Sequence, residues 1–274
     1  MILGLDFGAS TVDLVKFEKN KICGIRSFES SKFPKLNLQN FFDEVIYKIK
    51  DFDKIHVTGG RSKYFVSLYT DKPVKKISEI NAIGRGANFL IKDRKIRKFL
   101  AVSLGTGTCM VLVNKDKKGR IRCKHVGGTG VGGGTFLGLT KELLGVTDVK
   151  KVLEMYKKGD PTKVDLSVGE IVGAGIGMVG PYHTASNLGK VSREIKFKKE
   201  DLACGIVNLI GQSIATTVVF AAKSHKCKTI VLGGKLTRIK QIVKVIKGVA
   251  DLHKIELVIP KDSLYMSAIG SVVQ

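Results

Sequence analysis

Three stretches of this sequence set glycine beside hydroxyl residues in a pattern suited to holding a polyanion. The first is Asp6-Phe7-Gly8-Ala9-Ser10-Thr11, a turn that carries an acid, a glycine and two hydroxyls. The second is Gly105-Thr106-Gly107-Thr108, set between two apolar runs, and the third runs from Gly127 to Gly134 into Thr135-Phe136-Leu137-Gly138-Leu139. Glycine permits positive φ and close backbone approach, so that successive N–H groups can surround an oxyanion, and threonine adds hydroxyl donors without bulk. In the third stretch Gly130, Gly132, Gly133 and Gly134 lead into a helical pattern, whose positive dipole end would face the anion. A single such loop reads equally well as a tight hairpin turn. Three in one chain favour phosphate.

The elements that must position these turns follow from hydrophobic periodicity. Met1 to Phe7, Val12 to Phe17 and Lys21 to Phe28 read as three strands, 38–49 as a helix and Lys54 to Val57 as a strand ending in Thr58-Gly59-Gly60. Pro73 to Ile77 reads as a strand and Glu79 to Ile91 as a helix. The order then restarts, with strands at Phe99 to Ser103, up to Val113 and Ile121 to Val126, followed by the glycine-rich loop and its helix. A βββα order thus occurs twice, each time with a polar or glycine turn after the first strand, which predicts two similarly folded units facing one cleft.

Thr147 to Lys158 predicts a short helix and Gly159 to Asn187 an irregular segment near the site. Lys199 to Lys223 predicts the longest helix, apolar around much of its girth and therefore central or at a dimer interface. The remainder alternates strand and helix: Thr229 to Leu232, ending in Gly233-Gly234-Lys235, then Arg238 to Val249, Lys254 to Ile259 and Tyr265 to Val273.

Composition narrows the function. The net charge is +23, yet the lysines are dispersed, Trp is absent and aromatics are 7%, so no stacking surface for nucleic acid is evident. The charge reads as a solvated surface that attracts anionic nucleotides, and no nucleic-acid partner is expected. No apolar run approaches the ~20 residues of a membrane span. The N-terminus reads as a strand with no basic leader region, so neither membrane nor export is expected. Cys23, Cys109, Cys123, Cys204 and Cys227 form no CxxC pair or Cys/His ligand spacing, which argues against zinc and disulfides and for a reducing cytoplasm.

The motifs taken together resemble those of the acetate-kinase, sugar-kinase, Hsp70 and actin superfamily. DFGAST (Asp6 to Thr11) resembles its first phosphate motif, VSLGTGT the second and IVLGGKL, with Gly233 and Gly234, the adenosine motif. More narrowly the chain resembles type II pantothenate kinases, through HVTGG (His56 to Gly60), SEINAIGRG (Ser78 to Gly86), HVGGTGVGGGTFLGL (His125 to Leu139), VDLSVGEI, TASNLG and SAIGS. The resemblance implies an α/β fold of two ribonuclease-H-like (actin-like) domains with a nucleotide cleft between them, divided as 1–95 and 96–274, and a homodimer built around the long helix. It also implies Mg2+- and ATP-dependent phosphorylation of the primary hydroxyl of pantothenate.

On that resemblance Glu79 is the catalytic carboxylate, which would accept the alcohol proton; by itself it is an acid at a helix start, where acids are favoured anyway. Asp6 would hold Mg2+. Gly8, Ser10, Thr11, Gly105, Thr106, Gly107 and Thr108 would bind phosphates, Gly130, Gly132, Gly133 and Gly134 the nucleotide, and Gly233 and Gly234 the adenosine. His125, Thr184, Ala185 and Tyr265 fall on the pantothenate side, partly across the dimer.

Two positions depart from the family pattern: Asp13 stands where a phosphate-holding lysine is usual, and His125 where an arginine is. Either another cation substitutes for the lysine or nucleotide binding is weak; Lys16 lies at odd spacing from Asp13 and should face the other way. These departures keep open a kinase of the same fold acting on another small alcohol, such as an amino sugar, and a nucleotide-binding sensor without transfer activity.

Overall fold

The computed structural model describes residues 1–30, 51–62, 72–91, 93, 95–193 and 196–273, so the helix expected over 38–49 lies outside the described residues. The first strands alternate apolar residues that bury on one face with a mixed set on the other. β1 (Ile2–Phe7), β2 (Thr11–Glu18), β3 (Lys21–Glu29), β4 (Lys54–Thr58) and β5 (Val74–Lys76) form one sheet in the order β3-β2-β1-β4-β5. β1 runs antiparallel to β2 and parallel to β4. Leu3, Leu5, Phe7, Val12, Leu14, Ile55 and Val57 pack together as one core of this sheet.

A second sheet repeats the plan. β6 (Lys98–Leu104), β7 (Thr108–Lys115), β8 (Ile121–Thr129), β11 (Thr229–Gly233) and β12 (Glu256–Val258) assemble as β12-β11-β6-β7-β8, again third-second-first-fourth-fifth when read from the meander edge. The duplicated βββα pattern of the sequence is therefore a duplicated sheet. Between β8 and β11 of this second sheet the chain runs through the segment expected to be irregular, which carries a small two-stranded sheet of β9 (Leu166–Ser167) and β10 (Thr184–Ser186).

Among the described residues the α-helices are α1 (Glu79–Leu90), α2 (Gly133–Leu139), α3 (Val149–Tyr156), α4 (Val168–Val172), α5 (Lys199–Ser224), α6 (Lys240–Leu252) and α7 (Met266–Val272). α1 starts at Glu79 because Ser78 is extended and its hydroxyl accepts from the Asn81 N–H at 3.3 Å. α3 starts in the same way, with the Asp148 carboxylate accepting from the Lys150 N–H at 2.8 Å. α5 meets the length and hydropathy of a membrane span, but 67% of its most apolar window is buried inside the chain. Its residues Ile206, Ile210, Ile214 and Val218 pack in the largest core with Leu100, Val102 and Leu104 of β6.

α1 and α7 lie against the facing sides of the two sheets and against each other. Ile83 and Ala87 of α1 and Ile91 just after it pack on Phe99, Ala101, Val111 and Val231 of the second sheet, while Ala268, Ile269 and Val272 of α7 pack on Val15 and Phe17 of the first. The helices meet at glycines. A Cβ on Gly86 would lie 1.9 Å from the Met266 carbonyl oxygen, and one on Gly270 would lie 1.7 Å from that of Ala82. Backbone faces backbone there, so relief requires moving a whole helix. An exposed helical glycine replaced by alanine usually gains stability, by about 1 kcal/mol. Gly270→Ala is expected to do the reverse, costing about 3 kcal/mol or more by overpacking, measured as a drop in the urea midpoint.

Candidate active site

The alternation that lets α7 cover the first sheet also builds a polar row beside it. Gly4, Val15 and His56 are neighbours in register on β1, β2 and β4, and they lie under α7. The bare Gly4 allows Val272 and Ser271 to press onto β1, and Nδ1 of His56 lies 2.7 Å from the Ser271 carbonyl oxygen. Two residues along each strand, on the same face, stand Asp6, Asp13 and Thr58. Ser27 on β3 extends the row and donates its hydroxyl to Asp13 Oδ1 at 2.5 Å.

Gly59 follows with φ of +90°, and a Cβ there would fall 2.4 Å from Asp6 Oδ1. Only glycine leaves that carboxylate its place. The Thr58 hydroxyl is buried without a hydrogen-bond partner.

Four charges meet at the row. Burial, reinforced by the neighbouring carboxylates of Asp13 and Glu79 and partly opposed by Lys235, pushes the Asp6 carboxyl up to about 7. Lys235 enters from the loop after β11, its Nζ 2.8 Å from Asp13 Oδ1 and 3.9 Å from the centre of the Tyr265 ring. Burial pulls its ammonium down from the usual lysine range, against the pull of Asp13. Asp6 and Asp13 facing one lysine, with the charge of Glu79 reaching Asp6, leave a local surplus of negative charge of the kind that a small divalent cation such as Mg2+ relieves. Lys16, by contrast, lies on the opposite face of β2, 5.5 Å from the centre of the Phe52 ring.

The glycine turns gather at the same place. The Gly8 N–H donates to the Thr11 carbonyl at 2.9 Å, and the hydroxyl oxygens of Ser10 and Thr106 lie 3.1 Å apart, so the first two turns touch across the cleft. The third stretch behaves differently from the anion nest that its sequence suggests. The N–H groups of Gly133 and Gly134 donate to the carbonyls of Gly105 and Thr106 at 2.8 and 2.9 Å, and a Cβ on Gly132 would sit 2.6 Å from the Thr106 oxygen.

These glycines let two turns stack backbone to backbone, and their amides serve the protein itself. Thr108 likewise donates its hydroxyl to the Val131 carbonyl at 2.8 Å. Gly130 is open, with nothing within 4 Å of where its Cβ would be. Gly234, with φ of +94°, sits 2.4 Å by the same measure from the Leu104 oxygen, so its loop rests on the strand end that precedes Gly105.

Of the acceptor-side residues, Glu79 lies at the exposed start of α1, where its charge reaches Asp6 and also Cys109, whose thiol burial and Glu79 together push up to about 11. Tyr265 joins the group through Lys235. His125 is exposed on β8, opposite Val111. Thr184 and Ala185 are on β10, in a separate network: Asn208 Nδ2 donates to Thr184 Oγ1 at 2.9 Å and to Asp165 Oδ2 at 2.6 Å. Thr184 lines a cavity of about 720 Å3 with Asp165, Glu170, Tyr182, Lys190 and Arg193. Lys235 has no role in the sequence reading, although its position directly after Gly233-Gly234 was a usable signal.

The model of the Fumble family matches residues 8–274 of the chain. A type II pantothenate kinase of Oceanobacillus iheyensis is 32% identical over 254 residues, covering 89% of this chain and 87% of that protein. One from Bacillus cereus is 27% identical, over 99% and 97% of the two lengths. Among solved structures, a ROK family glucokinase of Streptomyces griseus in complex with glucose and AMPPNP superposes with a TM-score of 0.63 over 98% of this chain and 97% of that one, at 10% identity. That likeness shows the fold, two ribonuclease-H-like halves of the actin type about a cleft. Sequence and architecture agree along nearly the whole length, and the chain belongs to the Fumble family, that of the type II pantothenate kinases.

Proposed function

We propose that this chain is a pantothenate kinase: it transfers the γ-phosphate of ATP to the primary hydroxyl of pantothenate, giving 4'-phosphopantothenate, the first step of coenzyme A biosynthesis. The observation that carries this reading is the contact of the Ser10 and Thr106 turns, the first of which begins at Asp6, with Glu79 near enough for its charge to raise the Asp6 carboxyl. Asp6 would hold Mg2+, directly or through water, and the bound ion would neutralise charge on the phosphates. Glu79, at an exposed helix start, orients the acceptor hydroxyl and takes its proton as the oxygen attacks phosphorus. Ser10 and Thr106 exchange their mutual contact for phosphate oxygens, and Gly130, Gly233 and Gly234 border the nucleotide.

The same reading places the division between domains near 95/96 and pairs two chains through the open side of α5, where Leu209, Thr216 and Phe220 reach the surface. Ile171, Ile176, Met178 and Tyr182 are exposed in the segment that carries Thr184 and Ala185, which fits delivery of those two residues to a partner's cleft. The five free cysteines suit a cytoplasmic location. A second acceptor, such as an amino sugar, is favoured only by the exposed His125 in place of an arginine fork.

ADP release from Mg-ATP with and without pantothenate tests the reaction. Release should require pantothenate and fall by about 100-fold or more in Glu79→Ala, as loss of a general base commonly does, with ATP affinity kept. Release that ignores pantothenate but responds to another alcohol would move the acceptor. In light scattering, Phe220→Asp should shift the protein from dimer to monomer.

Asp6 gives a pH test. Its carboxyl is raised, so the folded chain binds that proton more tightly than the unfolded chain. This contribution to stability is present below the ordinary aspartate range and is lost as pH rises to about 7. Asp6→Asn should therefore match wild type in urea at low pH and exceed it at neutral pH, while losing Mg-ATP turnover.

A further inference from the structure

We propose that Lys235 is the cation of this chain that grips the nucleotide's phosphates, and that Asp13 is the counter-ion that holds it ready; the proposal rests on the phosphoryl-transfer reading above. The geometry of the ammonium is the first reason. Nζ is enclosed, and it stands 2.8 Å from Asp13 Oδ1. A lysine ammonium has three donors, and here its other neighbour is the face of the Tyr265 ring, 3.9 Å away. Burying a cation with unused donors is costly unless an acceptor arrives from outside the chain.

Its place is the second reason. Gly234 seats the loop on the Leu104 carbonyl, next to the Gly105 turn, while the lysine side chain reaches across to Asp13 on the opposite sheet. It thus joins the two sheets, as the contact of Ser10 with Thr106 also does. A triphosphate entering between the sheets meets the carboxylates of Asp6 and Asp13, so a cation that can turn toward it is needed. Arg238, whose charge also reaches the ammonium, adds positive potential at the same loop.

Asp13 makes the exchange possible. The Ser27 hydroxyl donates to the same Asp13 oxygen at 2.5 Å, so this carboxylate keeps a partner when the lysine leaves it. The four-carbon stem of Lys235 then needs only side-chain rotation to trade a carboxylate for a phosphate oxygen.

The test is nucleotide binding by calorimetry on the full chain, with ATP, ADP and adenosine, for wild type, Lys235→Met, Lys235→Arg and Asp13→Asn. Lys235→Met is expected to weaken ATP at least tenfold, ADP less, and adenosine by no more than twofold. Lys235→Arg should recover most of the loss. Asp13→Asn, which removes the competing carboxylate, should leave ATP binding equal or tighter, and it keeps the proposal testable if Lys235→Met fails to fold.

Equal losses for ATP and adenosine, or a lower melting temperature with ATP affinity unchanged, would make Lys235 a strut between the sheets and overturn the proposal. Wild-type protein that binds no nucleotide would overturn it together with the kinase reading. Binding that follows phosphate number while ADP release ignores pantothenate would support Lys235 and remove only the acceptor.

Discussion

Two helices crossing without side chains between them set the geometry of everything else. At Gly86 and Gly270 the backbones of α1 and α7 come into contact, and each helix covers mainly a different sheet. The crossing therefore fixes how far apart the walls of the cleft stand. It also fixes what reaches into the cleft, because Glu79 begins α1 and Tyr265 immediately precedes α7. The carboxylate and the ring beside Lys235 are both projected from helix starts whose positions are set by one close contact.

The charge distribution has two scales that oppose one another. Over the whole chain basic residues exceed acidic ones by 23, which gives a field that draws an anionic nucleotide toward the surface. At the bottom of the cleft the balance is reversed, with Asp6 and Asp13 facing a single lysine whose ammonium is enclosed and the charge of Glu79 reaching Asp6. Long-range attraction and local repulsion divide the work: the first raises encounter rates, and the second makes productive binding depend on a divalent ion and on a cation free to move.

Much of this architecture was legible in the sequence because strands and turns are local. The repeated βββα order became two sheets of one topology, and Ser78 marked the start of α1 as a cap should. The acidic row was half legible: Asp6 and Asp13 stand in adjacent runs, but their register is set by pairing that a linear reading cannot fix. Gly132 to Gly134 looked like donors to an anion and turned out to be the seam between two turns, since glycine permits either close approach. Lys235 was missed because the residues that give it meaning, Asp13 and Tyr265, are remote in sequence and meet only in the folded chain. Gly86 and Gly270 carry no signal in periodicity, as their role is the absence of a side chain.

The placement of α7 has a consequence for synthesis. The face of the first sheet formed by Gly4, Val15 and Phe17 is covered by residues near the other end of the sequence. Phe89 of α1 reaches Phe17 edge to face, ring centres 5.9 Å apart, but the part of that face under α7 lacks its cover until Met266 to Val272 have been made. Pairings of such long span close late and slowly, and they leave apolar surface exposed in the meantime. The protection of that part of the nascent sheet is thus completed by the docking of one short helix.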